Sequence, residues 1–146
     1  MSFFPTTNAK SNGANFAEQN RECGVFTGVI KDIREIHSNS NSTVFGVIEI
    51  EVPGKAGVFQ DYLNFNQEKA TESMGYLVSH CKSAILSAGE TIANPDEEKD
   101  MAWVEASYKK LKDGKMKVTF QQSMNSRGQL NINFVTASET PENPGF

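Results

Sequence analysis

The stretch from residue 43 to residue 65, TVFGVIEIEVPGKAGVFQDYLNF, alternates its side chains with a period of two in both halves. In its first half, valine and isoleucine alternate with phenylalanine and glutamate, which puts the aliphatic and the acidic side chains on opposite faces of a strand. The alternation breaks between Pro53 and Gly57, because proline fixes φ and glycine tolerates positive φ. The stretch therefore predicts a β-hairpin with one face suited to a core.

The rest of the chain supplies further strands and helices around this hairpin. By periodicity we expect a first strand at 23–36, a helix at 67–88, a short second helix at 101–112, and two closing strands at 115–123 and 129–136. Three strands, a helix and two more strands is the order of the OB-fold, a five-stranded and partly open barrel. The predicted fold is mainly β with α: a five-stranded OB-fold-like barrel with a helix between strands 3 and 4.

Two details of these elements are specific enough to test. In the first strand, simple alternation groups Ile33 with Val25 and Val29, and groups Arg34 with Ile30 on the other face. Glycines in this strand indicate a bulge or sharp coiling. In the helix, an apolar stripe from residue 74 to residue 88 leaves His80 outside, and we expect that side chain to be solvated.

Length and composition limit the domain organisation. The 146 residues predict one domain at 23–137, preceded by a flexible N-terminal arm at 1–22 and followed by a flexible acidic tail at 138–146. The two cysteines, Cys23 and Cys81, fit no metal-ligand spacing, and buried structural thiols are expected. With neither a secretory signal nor an apolar run of about 20 residues, a cytoplasmic protein is expected.

The catalytic patterns that we sought do not occur in the sequence. Its two histidines, His37 and His80, form no cluster with cysteine, and no phosphate-binding GxxxxGK[ST] motif is present. A carboxylate set of Glu49, Glu51 and Asp61 is the one metal site that the spacing leaves open, and a solvated strand face is the simpler interpretation of the two glutamates. We therefore expect a protein that is not an enzyme and has no metal or cofactor.

A binding function fits the residue pattern better. Single-stranded nucleic acids are held by aromatic rings that stack on bases and by cations along the phosphates. Tyr62, whose face partners Gln60 and Asn64 are polar, is the best stacking candidate, and Phe45 is the next. The candidate phosphate contacts are Lys31, Arg34, Lys55, Lys115, Lys117 and Arg127. The net charge of −4 argues against bulk coating of duplex DNA but is compatible with a local basic groove.

The pattern resembles phage-encoded single-stranded DNA-binding proteins. The resemblance covers roughly residues 23–136, from the GVFTGVI strand through VFQDYLNF to the KMKVTF and LNINF hairpin. A Gly-Lys-x-x-Val fourth strand recurs in that family, and residues 114–118, GKMKV, match it. The resemblance implies sequence-independent binding of single-stranded DNA in phage replication or recombination, without catalysis, in the cytoplasm of the host.

The last eight residues, ETPENPGF, are similar to the acidic tails with a terminal phenylalanine that dock on replication and recombination proteins in that family. The resemblance implies that Glu142, Pro144 and Phe146 contact such a partner, although a tail without function is equally compatible with the sequence. Two other functions are left open: a protein-interaction module, such as a phage inhibitor or adaptor, and a nuclease or other hydrolase that uses Glu49, Glu51 and Asp61. DNA and RNA are not distinguished, and a homo-oligomer is compatible with the pattern.

Overall fold

The computed structural model describes residues 18–37 and 43–136, in which one antiparallel sheet is packed against two helices. The sheet order is β3-β2-β1-β4-β5. The elements are β1 (Gly24–His37), β2 (Thr43–Glu51), β3 (Phe59–Asn66), a 3-10 turn (Gln67–Lys69), α1 (Ala70–Ser87), α2 (Met101–Asp113), β4 (Lys117–Met124) and β5 (Leu130–Phe134). The five predicted strands and both predicted helices are thus present.

The core lies between one face of the sheet and the two helices. Three rings from three strands meet there, with Phe59 4.8 Å from Phe26 and 5.2 Å from Phe120 between ring centroids. Helix α1 packs against β3, β4 and β5, while α2 packs against α1 and β1. The predicted apolar stripe of α1 is confirmed, because Leu77 and Cys81 are fully buried in this core.

A one-residue bulge at Lys31 changes which side chains of β1 face the core. Ile30 pairs with Ile50 and Asp32 pairs with Glu49, so Lys31 has no partner in the β1–β2 ladder. The extra residue reverses the alternation from that point onward. Ile33 therefore packs against the core like Ile30, and the predicted grouping of Ile33 with Val29 is wrong.

The same bulge places Arg34 on the other side of the sheet, here called the outer face. The outer face carries Asp32 and Arg34 of β1, Glu49 of β2, Tyr62 of β3 and Lys117 of β4, as the strand registers require. The predicted grouping of Arg34 with Ile30 is therefore also wrong. Simple alternation failed because the bulge is set by pairing with β2, which the β1 sequence alone does not show.

The sheet is not closed into a barrel. Strands β3 and β5 are its two edges, and in the described residues no ladder joins them although they approach each other. Helix α1 fills the opening between them with His80, whose Nε2 lies 2.7 Å from Asp61 Oδ2 on β3. The His80 ring also lies 5.0 Å from the Phe134 ring on β5. The expectation that His80 is solvated is wrong, because these partners bury it to 6% exposure.

Residues 18–22, at the end of the predicted N-terminal arm, lie across one end of the sheet. Asn20 N donates to Val58 O at 2.7 Å, and the Gln122 side-chain amide donates to Asn20 O and Glu22 O at 3.0 and 2.9 Å. Gly57, with φ +68°, permits this approach, since an added Cβ would lie 2.2 Å from Glu18 O. The segment thus connects the β2–β3 turn to β4.

No helix in the described part of the chain is long and apolar enough to span a membrane.

Candidate nucleic-acid interface

The outer face presents an exposed aromatic ring on its edge strand β3. Tyr62 lies opposite Val47, which lies opposite Arg34, so this row crosses three strands. Tyr62 is 48% exposed, and Val47, in the middle of the row, is fully buried. With strands about 4.8 Å apart, the ring and the guanidinium belong to backbone positions about 10 Å apart. Tyr62 is therefore accessible on the outer face, and its role as a stacking residue stays a prediction.

A continuous polar network holds the Tyr62 ring in place. The Tyr62 hydroxyl donates to Gln60 Oε1 at 2.9 Å, and Gln60 Nε2 donates to Glu49 Oε2 at 3.3 Å. On the other side of Glu49, its Oε1 lies 3.6 Å from Arg34 Nε, and Arg34 Nη2 lies 3.1 Å from Asp32 Oδ2. The hydroxyl end of the ring is therefore anchored while part of the ring stays in solvent, which fixes a flat surface in advance of binding.

Burial affects two members of this network, Glu49 and Tyr62. Glu49 is only 2% exposed, so the expected solvated strand face is wrong at this position. Burial and the nearby Glu49 carboxylate raise the pKa of Tyr62 above its usual value. The hydroxyl therefore stays protonated at neutral pH and keeps its hydrogen bond to Gln60.

Two of the six predicted phosphate contacts are already occupied by carboxylates. Arg34 is shared between Asp32 and Glu49, and Lys55 Nζ lies 3.0 Å from Glu22 Oε1. Lys55 also lies over the Phe26 ring, 5.3 Å from its centroid. Because each charge is compensated locally, both cations are weaker phosphate contacts than the sequence indicated.

Lys55 and Lys117 nevertheless line one shallow cavity of about 430 Å³. Lys117 is exposed and pairs with Val29 on β1, and Val29 in turn pairs with Glu51 on β2. Lys117 and Glu51 therefore lie at the two ends of one row of residues on the outer face. Gly28 lines this cavity too, and an added Cβ there would lie 2.3 Å from Glu51 O. Since Glu22 compensates Lys55, Lys117 is the stronger candidate for a phosphate contact at this cavity.

The other predicted cations lie at separate places. Lys31 is exposed in the β1 bulge, Lys115 is exposed in the α2–β4 turn with φ +51°, and Arg127 is exposed in the β4–β5 turn. Among the side chains that the structure describes, none of these three, nor Lys117, forms an ion pair. Lys115 was predicted in a strand, but β4 begins at Lys117.

A further cation, which the sequence pattern did not reveal, lies at the β4–β5 turn that carries Arg127. Arg21 is exposed, and its Nη2 donates to Gly128 O at 3.3 Å, so two guanidinium groups belong to the region of the β4–β5 turn. Arg21 and Gly128 are 107 residues apart in the chain, and no local pattern connects them. Only the docking of residues 18–22 across the sheet reveals the pair.

Several predicted residues lie outside what the structure describes. The Phe45 backbone pairs with Asn64, but its side chain is outside the described part, as are Glu142, Pro144 and Phe146 of the tail. Of the two cysteines, Cys81 is buried as expected, and burial raises its pKa to about 12. Cys23 is exposed, so its expected burial is wrong.

The carboxylates of the alternative metal site are not brought together. Asp61 lies on the core face with His80, whereas Glu49 and Glu51 belong to the outer face. Within the described ranges, no group of three or more His, Cys, Asp or Glu side chains could hold a metal ion. The geometry gives no support to a nuclease that uses these three residues.

Comparisons with protein-family models, with curated proteins and with solved structures find no match for this chain. The resemblance to phage single-stranded DNA-binding proteins therefore stays a prediction.

Proposed function

We propose that the protein binds single-stranded DNA without sequence specificity, in phage replication or recombination, and that it does so without catalysis. The observation that carries this proposal is the half-exposed Tyr62 ring, anchored by its hydroxyl on the outer face of the sheet. A fixed aromatic surface accepts any base, since every base has a π-face, and such stacking contributes about 1–3 kcal/mol per base.

The charges around Tyr62 determine where the phosphates lie. Asp32 and Glu49 exceed the single charge of Arg34, so phosphates avoid the centre of the outer face. Exposed cations lie elsewhere on the molecule, at Lys117 with Lys55 and at the pair of Arg21 and Arg127. In the proposed complex a base stacks on Tyr62 while the phosphate backbone of the DNA follows these cations. Contacts with a few local cations are compatible with the protein's net negative charge.

The proposal includes an architecture and partners. The strand order, the approach of β3 to β5 and the helix between them support an OB-fold-like barrel whose closure relies on α1 side chains. We further propose a cytoplasmic location and a docking role for Glu142, Pro144 and Phe146 toward replication or recombination proteins.

Titration of a labelled oligo-dT by fluorescence anisotropy, at several salt concentrations, tests the proposal. Binding is expected at low salt, with the logarithm of the association constant falling linearly with the logarithm of the salt concentration. Three to four phosphate contacts would give a slope of roughly −2 to −3. A duplex of the same length serves as the control and should bind more weakly. Absence of oligo-dT binding at low salt would overturn the proposal.

A further inference from the structure

A groove of about 740 Å³ runs along α1, on the helix side of the sheet and away from the outer face. Its apolar floor includes Phe65, Met74 and Val78, and its other wall is the loop from Pro95 to Lys99. The lining positions on α1 extend from Ala70 to Lys82, which is about 18 Å at 1.5 Å per residue. This length suits a peptide segment of about three helical turns rather than a small molecule.

The loop wall is held by internal hydrogen bonds. Lys99 is buried, and its Nζ donates to Ala93 O at 3.0 Å and to Asn94 O at 2.8 Å. The same ammonium group lies 5.6 Å from the centroid of the Trp103 ring and 3.8 Å from Glu97 Oε1. Through these contacts Lys99 stabilises the loop, so the groove keeps its shape without a ligand.

The wall has a negative charge that the loop does not compensate. Asp96, Glu97 and Glu98 are all exposed and all line the groove. Lys99 lies near Glu97 alone, and within the described residues neither Asp96 nor Glu98 forms an ion pair. Lys82, half-buried on α1, is the other lining cation, so three carboxylates face two ammonium groups. Cations are attracted to this wall, and phosphates are repelled.

We propose that this groove binds a basic amphipathic helix of a partner protein, with apolar side chains on Met74 and Val78 and lysine or arginine side chains against Asp96 and Glu98. Helices recognised in grooves insert apolar residues at i, i+3 or i+4, and i+7, and methionine adapts well to such side chains. The chain's own C-terminal segment is not the complement, because Glu139 and Glu142 have the same sign as the wall.

Gly75 offers a way to block the groove without disturbing the core. It lines the groove in the middle of α1, and an added Cβ would meet no atom within 4 Å. Gly75→Phe fills the groove and removes a glycine from a helix interior, so the fold should be kept. Ala102→Phe, at an exposed position of α2, is the matched control for an added surface ring.

The charge of the wall is tested by Asp96→Asn combined with Glu98→Gln, which leaves Glu97 beside Lys99. The matched control is Glu90→Gln combined with Asp113→Asn, which removes two exposed carboxylates outside the groove. The probe is a labelled synthetic helix of leucine and lysine with an i, i+3, i+4, i+7 leucine pattern. A leucine–glutamate helix of the same pattern is the negative probe.

The leucine–lysine helix should bind the full chain, and the leucine–glutamate helix should not. Gly75→Phe should weaken binding at least tenfold, and the wall variant should weaken it severalfold and reduce its salt dependence, while both controls bind like the wild type. Equal binding to all variants, or none to the wild type, would overturn the proposal. Oligo-dT binding should be unchanged by Gly75→Phe, which separates this test from that of the proposed function.

Two other occupants of the groove would also overturn the proposal. A second copy of this chain would make the wild type self-associate in sedimentation and the Gly75→Phe variant monomeric. If residues 1–17 occupied the groove instead, they would compete with the leucine–lysine helix, and deleting them would raise its affinity more than tenfold. A wild type that stays monomeric and a deletion without effect support a partner protein.

Discussion

The two faces of the sheet each contain charged side chains removed from solvent, but they use them differently. On the core face, Asp61 and His80 are 2.7 Å apart, both are buried, and the pair fills the opening between β3 and β5. On the outer face, buried Glu49 belongs to a network that ends at the half-exposed ring of Tyr62. The comparison assigns stability to the first group, whereas the proposed recognition of DNA depends on the second.

The largest expected effect comes from the core face. Phe120→Ala removes a fully buried ring that contacts Phe59 and Phe26. The free energy of unfolding should fall by about 3–5 kcal/mol because transfer free energy is lost and a cavity is left. Urea unfolding measures the change. Met124→Ala, at a 47% exposed position of the same strand, should change it by less than about 0.5 kcal/mol.

Asp61→Asn tests the polar pair of the core face. Losing a hydrogen bond to a charged group should lower the free energy of unfolding by about 1.5–3 kcal/mol. Burial lowers the pKa of His80, but the charge of Asp61 and their hydrogen bond outweigh it, so the folded pKa is raised above 6.5. The contribution of the pair is therefore complete below about pH 6.5 and is lost as pH rises through the folded pKa.

The difference in stability between wild type and Asp61→Asn should accordingly be largest between about pH 5 and 6.5 and shrink at higher pH. The other side chains in ring contact with His80 are Tyr76 and Phe134, and the pKa of Tyr76 is itself raised by burial and by Asp61. Neither titrates in this range. A difference that stays constant from pH 5 to pH 9 would show that the ion pair does not stabilise the core face.

A smaller effect is expected at the edge of the outer face. Lys117→Gln should make the salt dependence of oligo-dT binding less steep by about 0.7 in slope, the value for one phosphate on a single strand. Lys110→Gln, an exposed lysine on α2, is the control and should leave the slope unchanged. An equal change in both variants would mean that the whole molecule's charge, and not the outer face, governs binding.

The strands and helices could be predicted because their side chains repeat with local periods. The stripe of α1 and the hairpin of β2 and β3 are both of this kind. The stripe also led to the wrong prediction that His80 is solvated, since a polar residue beside an apolar stripe normally is. Its partner Asp61 belongs to another element, so the helix sequence does not reveal the contact. The bulge at Lys31 and the nearness of Arg21 to the β4–β5 turn depend on pairing between distant segments, which periodicity does not contain.

The candidate site was predictable as a set of residue types but not as an arrangement. Tyr62 was identified from its polar neighbours, and it is exposed on the expected face. The same pattern gave no sign that Gln60 and Glu49 anchor its hydroxyl, or that Asp32 and Glu22 neutralise Arg34 and Lys55. Ion pairing joins side chains from different strands and turns, so the charge of a surface emerges only with the fold.

The most direct measurement is oligo-dT affinity for Tyr62→Ala and Tyr62→Phe at low salt, with urea unfolding of both variants to confirm that they fold. Stacking needs the ring, so Tyr62→Ala should weaken binding roughly 5- to 150-fold, which corresponds to about 1–3 kcal/mol. Tyr62→Phe keeps the ring and should retain most of the affinity. If Tyr62→Ala folds and binds oligo-dT as tightly as the wild type, the outer face is not the nucleic-acid interface.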